Sequence, residues 1–113
     1  IFSAKQAIQL LEMDACDFIN IKLAKCGGIS HALKIADIAE LYGVKCMIGC
    51  MLEGAISVGV GVHVASARSN IITMLDLDGA NLLAYNPIVG GVKFNESEIT
   101  LSDSYGLGIE KIC

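Results

Sequence analysis

The chain has 113 residues, 54% of them hydrophobic and 18% charged, with twelve glycines, one proline and a formal net charge of −4. Ordinary domains are about 45–50% apolar and about 25% charged, so the excess of apolar residues fits strands covered on both faces, as in parallel sheets. Eight basic residues against twelve acidic ones, with no basic stripe, speak against nucleic-acid binding, and no uninterrupted apolar run or signal peptide points to a membrane.

Ser3 and Gln6 have capping-box spacing, so a helix is expected to start there. Ala4, Ala7, Ile8 and Leu11 form its apolar stripe, to about Met13. Residues 18–23 read as a strand in which Ile19, Ile21 and Leu23 share one face and Asn20 and Lys22 the other. Lysine on an interior face needs a reason, because it is seldom buried. A turn is expected at Cys26, Gly27 and Gly28. A helix then runs from Ile29 to Tyr42, with His31, Lys34, Asp37 and Glu40 as its wet stripe and Gly43 as its C-terminal stop.

Residues 44–51 read as a second strand. Residues 53–68 are ambiguous: Val58, Val60, Val62 and Val64 alternate as in a strand, but the length and the place between two strands favour a buried helix. Residues 71–77 form a third strand, running into Asp78. The order α-β-α-β-α-β with short links implies βαβ units and a parallel sheet. After Leu83 the character changes. Gly90, Gly91 and the short runs 92–94 and 99–101 around 95–98 suggest a small hairpin, so the chain divides into a βα array over 1–83 and a C-terminal segment over 84–113.

Three strands are too few to close a barrel or to cover themselves, and the chain opens at Ile1 directly on a helix start. Both features lead us to expect a piece of a larger parallel α/β enzyme. Cys16, Cys26, Cys46, Cys50 and Cys113 include no CxxC pair, and with His31 and His63 they complete no zinc set. They read as reduced thiols of a cytoplasmic protein.

In parallel α/β folds active sites lie at the C-terminal ends of strands. The first such end carries Lys22, which is either a lysine snorkelling to the rim or a general base. Lys25, three residues on, reads as a solvated loop charge. The second end carries Cys50, Met51, Leu52 and Glu53. Cys50 reads as a small wall residue rather than a nucleophile, having no histidine nearby in sequence. Glu53 reads as an N-cap or first-turn acid of the following helix. The third end carries Asp76 and Asp78, which are a helix-capping or turn pair, or an acidic clamp for a metal or a substrate ammonium.

The run Ile19-Asn20-Ile21-Lys22-Leu23-Ala24-Lys25-Cys26-Gly27-Gly28 resembles the sixth barrel strand and turn of the muconate-lactonizing subgroup of the enolase superfamily. Gly49-Cys50-Met51-Leu52-Glu53 resembles its seventh strand end. Asp76-Leu77-Asp78 resembles the eighth-strand motif of its dipeptide epimerases. Gly90-Gly91-Val92 through Tyr105-Gly106-Leu107-Gly108-Ile109 is similar to the family's C-terminal segment, which returns toward a capping domain.

The resemblance implies strands six to eight of a (β/α)8 barrel. It also implies a Mg²⁺-dependent isomerase that moves the proton α to the carboxylate of a small dipeptide, such as L-Ala-L-Glu or L-Ala-D-Glu, through an enediolate. Lys22 would be one of two facing lysines. The other lysine and the metal ligands would lie upstream of Ile1, with none in this chain, and the piece alone would be inactive. Cys50, Asp76, Leu77 and Asp78 would contact substrate, the two aspartates through its ammonium, with Met51 and Glu53 in support. Cysteine at position 50 departs from the family's usual small polar residue, and the segment before Asp76 is one residue longer than the family pattern. An o-succinylbenzoate synthase or cycloisomerase would use the same lysine on a substrate without an ammonium, against which the acidic pair argues. A non-catalytic truncated chain is the remaining reading. The resemblance leaves room for a homo-oligomer of the whole enzyme.

Overall fold

Ser3 stands in extended backbone and its Oγ accepts from the Gln6 N–H at 3.2 Å, opening helix α1 (Ala4–Glu12). Gln6 reaches back as a capping box requires, but one residue further, to the Phe2 N–H at 2.9 Å. The computed structural model describes residues 1–113.

Strand β1 (Phe18–Lys22) runs without a break into the short helix α2 (Leu23–Cys26). Leu23, expected to end the strand, therefore begins a helical turn. The cause is Gly27, at φ +92°, which closes that turn: the N–H groups of Gly27 and Gly28 both donate to the Leu23 carbonyl. Lys25 thus sits on a helix rather than in a loop, with Nζ 5.8 Å from the centre of the Phe2 ring.

Helix α3 (Ile29–Leu41) ends in a Schellman motif. Gly43 takes φ +70°, its N–H bonds the Glu40 carbonyl, and the Val44 N–H bonds the Ala39 carbonyl. Two residues of the expected wet stripe are engaged: Asp37 and Glu40 both accept from Arg68, the latter at 2.7 Å, which ties the end of α3 to the end of the next long helix.

Strand β2 (Lys45–Gly49), helix α4 (Ala55–Ala67) and strand β3 (Ile72–Asp76) follow. The ambiguous valine run is α4. Its alternation misleads because the helix is covered on more than one side, so apolar residues appear around its whole circumference. Two of its glycines face other parts of the core. A side chain on Gly61 would meet Leu77 at 3.5 Å, and one on Gly59 would meet Val92 at 3.6 Å.

β1, β2 and β3 form one parallel sheet in that order. The register sorts its faces. Ile19, Cys46 and Ile72 share one row and are buried against the helices, with Ile21 and Ile48 in the next row. Asn20, Met47 and Met74 line up on the opposite face. The pairing of β2 with β3 shifts between Cys46 and Met47, passing over Thr73. This bulge takes up one residue of β3 and brings Asp76 level with Gly49.

Beyond a 3-10 turn (Gly79–Leu82), β4 (Ile88–Gly90) pairs antiparallel with β7 (Ile109–Ile112), a pairing the sequence did not suggest. The expected hairpin is β5 (Lys93–Asn95) with β6 (Glu98–Thr100). Val92 joins the same core cluster as the sheet, and Phe94, Ile99 and Leu101 pack against it. The C-terminal segment therefore docks on the βα array. No helix is long and apolar enough to cross a membrane.

All five cysteines are unpaired. Burial pushes the Cys46 thiol up to about 11, against a smaller opposing pull from the Arg68 charge. An acid whose pKa is raised by folding contributes stability that is complete below the unfolded value and is lost as pH rises through the folded one. The advantage of the wild type over Cys46→Ala should therefore shrink by about 2–3 kcal/mol between pH 8 and pH 11.5. Urea unfolding of both proteins across that range checks it, and a difference that does not change with pH contradicts it.

Candidate active site at three strand ends

The three strands end level with one another. Lys22 of β1 pairs with Gly49 of β2, and Gly49 pairs with Asp76 of β3, so a cation and an anion flank a glycine across the sheet. All three residues continue the face that carries Asn20, Met47 and Met74, not the face packed on the helices. The parity read from the sequence thus holds: Ile19 and Ile21 are buried, while Lys22 is half-buried.

Lys22 reaches across Gly49 and its Nζ donates to the Cys50 carbonyl at 2.8 Å. The lysine is not ion-paired, since the chain's only ion pairs are those of Arg68. A rim lysine would extend into solvent. This one is directed over the end of the neighbouring strand, with one of its protons held by a carbonyl and the rest of its head group open.

Cys50 is half-buried. Its N–H and its Sγ both point at the Asp76 carbonyl, at 3.2 and 3.6 Å. It has no hydrogen bond to a histidine, and His63 lies in a separate groove between α3 and α4. The thiol thus lies along the strand-end row, bound to β3 and with no histidine beside it. Glu53 braces the loop: one carboxylate oxygen accepts from the Met51 N–H at 2.9 Å and the other from the Ser57 hydroxyl. It precedes the helix cap at Gly54 and acts through loop shape. Met51 itself is exposed.

Asp76 and Asp78 line one cleft of about 360 Å³ together with Asn81 and, from the tip of the β5–β6 hairpin, Glu96 and Ser97. Asp78 precedes the 3-10 turn, but its side chain makes no cap hydrogen bond. The capping role open to it in sequence is not the one it takes. Leu77, between them, turns its side chain into the core, 5% exposed, against Gly61 of α4. It anchors the motif, so the part of Leu77 left for a ligand is its backbone.

Sequence reasoning missed three features. Gly79 lets the two loops touch, because a Cβ there would lie 2.6 Å from the Met51 carbonyl. Glu96 reaches the acidic cleft only through the fold of the tail. Asn20, one row behind Lys22, has a buried Oδ1 with no hydrogen-bond partner. Its place on the Lys22 face was readable, but its contact with Gly49 was not. No three of His, Cys, Asp and Glu converge to hold a metal ion, so these side chains do not fit a metal centre by themselves.

The profile of the enolase C-terminal domain-like family matches residues 1–111. The L-Ala-D/L-Glu epimerase of Clostridium acetobutylicum is 54% identical over 112 residues, 99% of this chain and 31% of that protein. The substrate-liganded L-Ala-D/L-Glu epimerase of Bacillus subtilis superposes with a TM-score of 0.94 at 38% identity, over 100% of this chain and 31% of that one. The dipeptide epimerase of Enterococcus faecalis, solved with Mg and L-Leu-L-Tyr, superposes with a TM-score of 0.88 at 44% identity, over 96% of this chain and 31% of that one. The chain thus spans about a third of the length of these relatives. Three parallel strands that end in one polar row have their explanation here: the chain belongs to the enolase C-terminal domain-like family, and its βα array is the C-terminal part of an enolase-superfamily barrel.

Proposed function

We propose that the protein carrying this chain is a dipeptide epimerase, an isomerase of the cytoplasm that inverts the carbon α to a dipeptide carboxylate by a 1,1-proton transfer. The observation that carries the reading is the row Lys22–Gly49–Asp76, which sets a directed lysine and an uncommitted acidic pair on either side of one strand end. In this reading the Lys22 amine takes or returns the α-proton on one face of the substrate, and a second base from the rest of the barrel serves the other face. Asp76 and Asp78 receive the free ammonium of the dipeptide, because a desolvated cation needs anions beside it.

Mg²⁺ is the cofactor this reading assigns to the complete enzyme. It is supported by the Enterococcus relative solved with Mg and a dipeptide, with the ligands supplied by residues other than these 113. The chain by itself holds one base and the ammonium clamp, and we expect it alone to be inactive.

Incubation of the complete enzyme with Mg²⁺ and L-Ala-L-Glu in heavy water tests the reading. Deuterium should enter the carbon α to the carboxylate and the second stereoisomer should accumulate. No exchange with the dipeptide, together with turnover of an o-succinylbenzoate precursor, sinks the epimerase reading in favour of another enzyme of the subgroup.

A further inference from the structure

We propose that Gly49 and Asn20 form a cradle that aims Lys22, and that both are positioning residues of the reaction. The inference rests on the epimerase reading for its chemistry and on geometry for its substance.

Gly49 sits in the central strand of the sheet, where glycine weakens pairing and contributes no side chain. Its backbone does not explain it, because it is not among the glycines with positive φ. What Gly49 provides is space. A Cβ at this position would lie 3.1 Å from Lys22 Cε, 2.8 Å from Asn20 Oδ1 and 3.4 Å from Asn20 Nδ2. A side chain at position 49 would collide with the Asn20 amide and press on the Lys22 stem, so one or both would have to shift. Across that space Nζ reaches the Cys50 carbonyl at 2.8 Å.

Asn20 closes the other side. It precedes Lys22 by two residues on the same strand face, and its amide lies over Gly49. Its Oδ1 is buried without a hydrogen-bond partner. A buried amide left unsatisfied is unfavourable and rare in native proteins. An apolar residue would serve packing better here, so a role in shaping the polar row explains the amide as packing does not. Asn20 blocks Lys22 from folding back toward Met47 and Met74. The lysine is left one path, across Gly49 to the strand end.

The test uses the complete enzyme with Gly49→Ala and Asn20→Ala made separately. Deuterium exchange at the α-carbon is measured from each stereoisomer by itself. Misplacing a reacting group by about 1 Å can cost roughly 100-fold. Each variant should lose on the order of 10–100-fold in exchange from the isomer whose α-proton faces Lys22, and should keep exchange from the other isomer within about twofold, with KM little changed. General structural damage depresses both isomers alike. Equal losses from both, or no loss from either, overturn the inference. A crystal structure of Gly49→Ala supplies an arm that needs no substrate: the contact from Lys22 Nζ to the Cys50 carbonyl should be broken. If Nζ remains at hydrogen-bond distance there, the cradle is wrong whatever the enzyme acts on. If Gly49→Ala does not fold, Asn20→Ala decides by the same exchange assay. A wild-type enzyme that exchanges neither isomer refutes the epimerase reading, and the crystal structure still judges the cradle.

Discussion

Lys22→Ala in the complete enzyme should abolish α-proton exchange from one stereoisomer of the dipeptide while leaving exchange from the other largely intact. A positioned general base contributes about 10²–10⁴-fold, so the loss from the first isomer should fall in that range, and epimerisation should fall with it in both directions. The asymmetry follows from geometry. In the proposed function Lys22 approaches the α-carbon from one strand end and so serves one of its faces. Its removal silences that face without touching a base on the other. Substrate affinity should change little, because in the proposed function the ammonium is held by Asp76 and Asp78 at the end of β3, and the Lys22 head group bonds a main-chain carbonyl rather than an anion. Lys25→Ala is the internal control. It lies three residues on, exposed on α2 and over the Phe2 ring, and should leave both exchanges unchanged. Isotope exchange followed by NMR for each isomer decides the matter. Unchanged exchange from both isomers of Lys22→Ala removes this lysine from the chemistry.

The sequence revealed this site unevenly, for physical reasons. Strand parity was legible because a period of two fixes which face each side chain takes: Ile19 and Ile21 inward against the helices, Asn20 and Lys22 opposite. The first helix start and the end of α3 were legible because capping depends on residues three to five apart, at Ser3 with Gln6 and at Gly43. What depends on distance along the chain was not. Thr73 cannot be seen as a bulge until β2 and β3 are set side by side, yet that bulge puts Asp76 level with Gly49. The β4–β7 pairing joins segments some twenty residues apart through short, weakly patterned runs. Gly49 looked like one of many glycines in an apolar chain. Only the path of the Lys22 side chain shows what it is for. Leu77 shows a different limit: a motif marks three consecutive residues alike, whereas the fold sends the middle side chain to the core and leaves its neighbours at the cleft.

That division of labour in Asp76-Leu77-Asp78 sets the second large effect. Asp76→Asn and Asp78→Asn should each reduce kcat/KM for a dipeptide with a free ammonium by about 10–100-fold, since a hydrogen bond to a charged group is worth roughly 1.5–3 kcal/mol. Most of the change should appear in KM, because the ammonium stays bound and charged throughout the proton transfer and so contributes about equally to ground and transition states. The two losses should not add in Asp76→Asn/Asp78→Asn, because both carboxylates serve one cation. An N-acetylated dipeptide, which carries no ammonium, makes the comparison specific. The wild type should discriminate against it, and each variant should narrow the gap by losing the charged substrate while leaving the acetylated one nearly as before. Glu96→Gln tests whether the acidic cleft acts as a whole. Glu96 lines the same cavity from the hairpin tip, at a residue with φ +53°. If long-range attraction from the cleft governs affinity, its removal should weaken binding as much as either aspartate change, and raising the salt concentration should erase the difference. If the clamp is the local pair, Glu96→Gln should cost less than about threefold. Losses in Asp76→Asn and Asp78→Asn that are equal for free and acetylated dipeptides would show that the pair supports the loop rather than the ammonium.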